Sequence, residues 1–584
     1  MSITTQSHHI RTSNLKRFLP DLLSVAAIWI GVTLLTQRWA GLDTPDSSFY
    51  TSLGLFGSEV SDRAYDNSYF WTRLGTIAPT HVLTSIAGTW GGFAIWHALL
   101  LLMFIAGAYI AIRKFSNTQT AAVLTACIAL SSVPLSYLAN PYLTGAVLAG
   151  TSALIATAMF ESKKSAITAG LLLGWLVMVN PPGVLLAGVI WVVIKIFRSA
   201  QIKAKAITTA TSIGISAIAT AITFVVFLGI GKLMFPELNW IGAYLDAQGI
   251  NLSNFASKDP VWLKDISLLV PASILVFVIA VWLKNKKSQA AQLAFAISSS
   301  SIAFMLVFSP LMGGIALEAP MYQAMLWPPA LIALALAALT VMQKGNDKPQ
   351  NQEINTKPAG WNLTTIVIAA VAIVIIATAG HSTAIIGLHK GWLVAAALTV
   401  IAIIVALTAK PRFATIAGLI AITVLVAGGQ LLQNSRGPLG LYYLSPYNWA
   451  FNDNPISEKL HTAVNTQEWL LANTKNTDTI LTWVQGAWVG GDRELYVVAG
   501  MQLWGENRIG LFPELNDDDL ARLKDIKPTV IAMYVQSLEG VATFMGGLPE
   551  AAHPSDPMCY DFTWPTATIP VGHACLTRLT WTNA

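Results

Sequence analysis

This sequence predicts a polytopic α-helical membrane protein followed by a soluble C-terminal α/β domain. Three observations carry that prediction. Its 584 residues are 54% hydrophobic and 11% charged, with a mean hydropathy of +0.57. Soluble domains of this length rarely combine so many apolar residues with so little charge. The apolar residues fall in runs about as long as a bilayer is thick. From residue 433 onward the composition returns to ordinary polarity, with many tryptophans and no further run.

Taken in order, about thirteen spans are expected. They fall at 18–37, 92–112, 121–139, 142–160, 166–179, 184–197, 207–234, 265–283, 290–308, 325–343, 361–380, 391–409 and 414–432. Asn140-Pro141 and Asn180-Pro181-Pro182-Gly183 break two closely spaced pairs. Basic residues mark alternate loops: Arg113-Lys114, Lys163-Lys164, Arg198 with Lys203, and Lys284 to Lys287. The other loops hold acids and aromatics with fewer cations. Lys and Arg favour the cytoplasmic side, so residues 1–17 are expected inside and the C-terminal domain outside. The first run follows a basic stretch, as a signal peptide would. Its length, and the lack of a small-x-small cleavage site, instead suggest a retained helix in the plasma membrane. Asp21, near the start of that run, is expected at the interface.

Residues 433–584 alternate helical and strand patterns. The segment 457–472 has helical spacing, TILTWV and TVIAMY read as buried strands, and Asn516 can cap a helix from Asp517 to Lys524. A helix at 492–501 and a strand at 508–512 complete a small α/β layer. Cys559 and Cys575 lie close together in the tail. They are expected to form a disulfide if that side is oxidising. Cys127 lies in an apolar span and reads as an inert core residue. There is no GxGxxG or Walker A sequence, no metal-ligand spacing among the histidines, and no basic run, so nucleotide and nucleic acid are not expected partners.

Loop 38–91 concentrates the chemistry. Residues 41–75 carry Asp43, Asp46, Arg63 and Arg73 among Phe49, Tyr50, Tyr69, Phe70 and Trp71. Pro45 favours a helix start, after which Asp43 and Asp46 can share one face. Such a carboxylate can serve as a general base, hold a cation or bind sugar hydroxyls. On residue types alone, two solvated acids capping a loop helix remain an equal alternative. Most of the aromatics at the span ends fit an interfacial belt, and some could stack on sugars.

The order of parts resembles the GT-C superfamily of integral-membrane glycosyltransferases, in its bacterial protein-mannosyltransferase-like and aminoarabinose-transferase-like branch. The matching pieces are PDSSFY after the first span, NPPG from Asn180 to Gly183, LEAPMYQAMLWPP from Leu317 to Pro329, and the pattern WLLANTKNTDTILTWVQ…ELYVVAG…LKDIKPTVIAMY. That resemblance implies a GT-C type fold and a sugar donor carried on polyprenyl phosphate. The acceptor would be an envelope glycan, lipid or protein. Asp46 would be the base, with Asp43 as a second carboxylate. Arg73, then Arg63, Lys258 and Lys264, would meet the leaving phosphate. Tyr50, Tyr69, Glu318 and Tyr322 would contact substrate. No cofactor is required, although the acids could admit a divalent cation. The alternative is a transporter, flippase or assembly factor for lipid-linked glycans. Against a transporter, the spans are nearly free of charge and no internal repeat is evident.

Overall fold

In the computed structural model, the described residues are 4–36, 45–57, 69–201, 206–236, 239–243, 266–311, 320–343, 455–475, 477–485, 515–563 and 571–582. The spans expected at 361–380, 391–409 and 414–432 lie outside them, as do the helix at 492–501 and the strand at 508–512.

Helix α1 is Thr4–Leu35, longer at its N-terminal end than the apolar run, and α2 is Pro45–Phe56. Pro45 occupies the first turn of α2, where a missing N–H leaves no bond unmade. A 3-10 turn, Tyr69–Thr72, leads into α3, Leu74–Arg113. This is one helix only in name. Gly88 has φ 73°, and the backbone doubles back there. A Cβ on Gly92 would lie 2.4 Å from the Thr84 backbone nitrogen, so the two arms touch at the bend. Glycine is required at both places, at one for its dihedral and at the other for the close approach. The second arm is the expected span 92–112. The first arm belongs to the preceding loop.

The expected span 121–139 is two helices, α4 (Thr118–Ala129) and α5 (Ser132–Leu138). Pro134 explains the break: it has no N–H to return to the carbonyl of Leu130. There follow α6 (Leu143–Ala158), α7 (Lys163–Val177), α8 (Pro181–Gln201), α9 (Ala206–Met234), α10 (Ile266–Lys284) and α11 (Gln289–Leu311). A short helix α12, Pro320–Gln323, and a 3-10 turn, Ala324–Leu326, enter α13, Trp327–Gln343.

Among the described residues, five helices are long and apolar enough to cross a membrane, and four shorter apolar helices accompany them. Their surfaces are apolar as well. In α9 only 11% of the most apolar stretch is buried, and Ile218, Val225 and Leu233 stand exposed. An outward-facing apolar belt of this kind suits lipid rather than water.

The helix ends sort into two groups. At one end, Asp21 Oδ1 accepts from Tyr109 Oη at 2.6 Å, Arg113 Nε at 2.8 Å and Thr118 Oγ1 at 2.8 Å. That staple ties α1 to the end of α3 and the start of α4. Ser288 and Thr340 meet at 3.2 Å, placing the α10–α11 turn and the end of α13 together. The opposite end gathers α2, the 3-10 turn and the breaks at Asn140 and Asn180.

The C-terminal domain comprises α14 (Pro455–Ala472), β1 (Ile480–Val484), α15 (Asp517–Ile526), β2 (Val530–Val535), α16 (Leu538–Gly546), β3 (Ala552–Pro554), β4 (Met558–Thr563) and β5 (Val571–Trp581). Strand order is β1-β2-β5-β3, with β4 also on β5; β1 and β2 are parallel and the other pairs antiparallel. Both faces of β1 and β2 are covered, which is why they read as continuous apolar runs. On one face Leu481, Trp483, Ile531 and Met533 pack with Leu523 of α15 and Phe544 of α16. On the other, Ile480, Val530 and Tyr534 pack with Ala463 and Leu470 of α14. Asn516 caps α15 reciprocally with Asp519, and Asp517, Asp518 and Asp519 all lie in its first turn. Cys559 and Cys575 are directly opposed on β4 and β5 and joined by a disulfide. Cys127 is free and buried.

Candidate functional site

The candidate site lies at the helix ends gathered around α2. Helix α2 is buried nearly all round, at Ser47, Phe49, Tyr50, Thr51, Ser52 and Leu53. Ser47 Oγ donates to Asn140 Oδ1 at 3.1 Å, which pins the start of α2 to the break before α6. Tyr50 packs edge-on to Phe70, centroids 5.5 Å apart, and to Tyr142 at 5.9 Å. Trp71 continues the aromatic seam to Phe235 at 4.6 Å. The far end of α2 is held by its Gly54 carbonyl, which lies 3.1 Å from His81 Nδ1 and accepts from Thr84 Oγ1 at 3.2 Å.

The turn that carries Arg73 is fixed against the NPPG break. Gly75 N donates to Met178 O at 2.9 Å, and Trp175 Nε1 donates to Gly75 O at 2.8 Å. A Cβ at Gly75 would meet Val179 Cγ2 at 2.6 Å, so the two segments approach as closely as glycine permits. Asn180 Oδ1 accepts from Gly183 N at 2.9 Å and caps α8. Arg73 itself is 3% exposed. A guanidinium removed from water requires acceptors or anions around it, and its planar donors match carboxylate and phosphate. Helix α12 joins the same region: Thr144 Oγ1 donates to Met321 O at 3.4 Å, and Gln323 is fully buried.

Of the residues singled out from sequence, Asp46 lies in the first turn of α2, one position before Ser47. Tyr50 and Arg73 are buried at this end, Tyr69 opens the 3-10 turn, and Tyr322 is half-buried on α12. Asp43, Arg63, Lys258, Lys264 and Glu318 lie outside the described residues. Among the described residues no group of three His, Cys, Asp or Glu side chains gathers as a metal site. From sequence, Asn140 was marked only as a break, Asn180 as a break within the NPPG piece, and Ser47 was not singled out. Asparagine followed by proline, twice, at the ends of apolar helices was the available signal.

Apolar helices with an outward apolar belt are those of an integral membrane protein, and the buried polar and aromatic seam at one end is its candidate site. No family model matches the chain, and no curated protein matches it. Solved structures are similar to it. ArnT from Cupriavidus metallidurans bound to undecaprenyl phosphate is 12% identical, covers 96% of this chain and 98% of its own, and superposes with a TM-score of 0.48. The archaeal oligosaccharyltransferase AglB from Archaeoglobus fulgidus, with an inhibitory peptide and a dolichol-phosphate, is 11% identical, covers 98% and 75%, and has a TM-score of 0.42. Both are GT-C membrane glycosyltransferases. Similarity this loose leaves the chemistry to rest on the chain's own residues.

Proposed function

We propose that this chain is a membrane glycosyltransferase that moves a sugar from a polyprenyl-phosphate donor to an extracytoplasmic acceptor. The observation that supports this reading best is the convergence of α2, with Asp46 in its first turn, and the buried Arg73 turn at one end of the helical module. In this reading the end with the basic loops lies in the cytoplasm, as Lys and Arg favour, and the site and the C-terminal domain face outward.

In this reading the lipid tail lies among the helices and its phosphate at their outer boundary. Asp46 takes the proton of the acceptor hydroxyl. The acceptor oxygen bonds to the anomeric carbon as the bond from that carbon to the phosphate oxygen breaks. The polyprenyl phosphate leaves with the electron pair, and Arg73 offsets its charge. Asp43, Arg63, Lys258 and Lys264 are further candidates for holding charge, and Tyr50, Tyr69, Glu318 and Tyr322 for contacting sugar. A divalent cation is not required by this scheme.

The test is transfer by purified protein from a polyprenyl-phosphate sugar pool, read by mass spectrometry of products. Asp46→Asn is expected to lower turnover by about 10²–10⁴-fold while donor binding persists. Arg73→Gln is expected to weaken the donor and lower turnover by about 10²-fold or more. Unimpaired transfer by Asp46→Asn would remove Asp46 from the mechanism.

A further inference from the structure

The opposite end of the helical module holds a charged cluster that the proposed transfer does not use. Glu161 is the sole acid in the sequence between Asp66 and Glu237. The end of α3 and the last turns of α8 bring Lys114, and Lys195 with Arg198, into its neighbourhood. Lys195 is wholly buried; its ammonium donates to the Phe160 carbonyl and to Glu161 Oε2, the latter at 3.3 Å. Arg113, next to Lys114, is taken by Asp21 at 2.8 Å, and Lys163 and Lys164 are exposed. Glu161 is therefore engaged by Lys195, although its Oε1 is buried without a partner.

Arg198 is left under-bonded. It is 7% exposed, its Nη2 reaches the Met159 carbonyl at 3.5 Å, and its buried Nε meets no acceptor. Lys114 lies across from it with its ammonium 5.3 Å from the centroid of the Phe160 ring. Partial desolvation and the Arg198 charge hold the Lys114 ammonium below the ordinary lysine range. Arg198 feels the Glu161 charge without a hydrogen bond to it, so one carboxylate serves Lys195 and Arg198, and Lys114 and Arg198 repel each other. A buried cation is stable only when paired. A guanidinium with a neighbouring ammonium suits a tetrahedral oxyanion, which can accept from both. Exposed Phe160, Ile196 and Phe197 stand beside the cluster and give acyl chains a surface.

We infer that Arg198 and Lys114 form a binding site for a phosphate group at the basic end of the helical module. The phosphate is carried by an anionic phospholipid headgroup or is free in solution. The site stands apart from α2 and does not depend on Asp46.

The experiment uses the full chain and needs no activity. Purified protein is reconstituted with phosphatidylglycerol or with phosphatidylcholine, and retained lipid is read by native mass spectrometry alongside thermal unfolding. In a parallel detergent arm, inorganic phosphate is titrated against chloride at matched ionic strength. Retention and stabilisation by phosphatidylglycerol are expected, falling about tenfold in Arg198→Gln and in Lys114→Gln. Arg198→Lys should retain part of the effect, and Lys164→Gln, an exposed cation at the same end, should retain all of it. A saturable response to inorganic phosphate that vanishes in the same two variants supports the site and assigns it to free phosphate. If Arg198→Gln fails to fold, Lys114, whose side chain is exposed although partly desolvated, carries the test. Equal binding in wild type, Arg198→Gln and Lys114→Gln overturns the proposal, as does an equal loss in Lys164→Gln.

Discussion

Gly75 shows how much a single residue can place. It has no side chain, yet its two hydrogen bonds to the end of α7 and its contact with Val179 set where Arg73 stands. In Gly75→Ala the new methyl meets Val179 Cγ2 at 2.6 Å and the Met178 carbonyl carbon at 3.0 Å, so the turn must lift. Transfer is expected to fall about tenfold to a hundredfold, because small displacements of a charge-stabilising group are costly. Steady-state rates, with a check that the variant unfolds at a similar temperature, measure this.

A second residue-scale prediction concerns pH. Asp478 accepts from Arg578 Nη1 at 3.1 Å, from Arg578 Nη2 at 3.2 Å and from Lys475 N at 2.7 Å. Burial alone would raise its carboxyl, but these donors outweigh burial and hold it below the usual aspartate range. A carboxyl depressed on folding contributes stability above its unfolded pKa, about 3.9. That contribution is lost as pH falls through the lower, folded value. Thermal unfolding of the full chain between neutral pH and pH about 3 should show this loss, and Asp478→Asn should flatten it.

At the scale of elements, α7 and α9 pair through small residues. Gly170 and Gly174 are four apart on α7. A Cβ on Gly170 would lie 2.4 Å from Ser216 O, and one on Gly174 would lie 2.5 Å from Thr223 Cβ. Thr220 Oγ1 donates to Gly170 O at 3.2 Å across the pair. This is the small-xxx-small packing of membrane helices, where close backbone approach substitutes for a hydrophobic driving force. The motif GLLLG stood in the sequence, but with no partner identified it read only as part of an apolar run. Gly170→Leu should force the pair apart and destabilise the protein by about 1–3 kcal/mol or more. A lower unfolding temperature in detergent would register it. The bend at Gly88 and the break before Pro134 are decisions of the same kind. Hydropathy sees continuous apolar runs in both places, while backbone chemistry turns one and divides the other.

Across the whole molecule, the C-terminal domain is joined to the first loop. Phe93, at the start of the second arm of α3, is 1% exposed and buried in the cluster formed by α14 and the sheet. Leu55 and Phe56 from the end of α2, with Trp90, pack on the same cluster. The helix that carries Asp46 is thus held at one end by the helical module and at the other by the domain. Phe93→Ala should loosen that joint by about 3–5 kcal/mol while the opposite face of the sheet keeps its own core. Hydrogen exchange would show faster exchange in α2 and α14, with β1 and β2 still protected.

Periodicity and hydropathy sufficed for most of the apolar helices up to 343, though not for the division of 121–139, and for α14, β1, α15, β2 and the position of α2. These features are local: each depends on residues within a turn or two of one another. What lay beyond local reach was decided in three dimensions. The pinning of Ser47 to Asn140, the seat of Arg73 against Met178 and the burial of Phe93 under a domain hundreds of residues later in the chain join segments far apart in sequence. No pattern within either partner announces the other. Loop 38–91 could be chosen from sequence as the place where charge and aromatics gather, because apolar flanks make such a segment conspicuous. Which of its side chains are buried together was settled only when the helix ends closed around it, since burial is a property of the packed assembly and not of the segment.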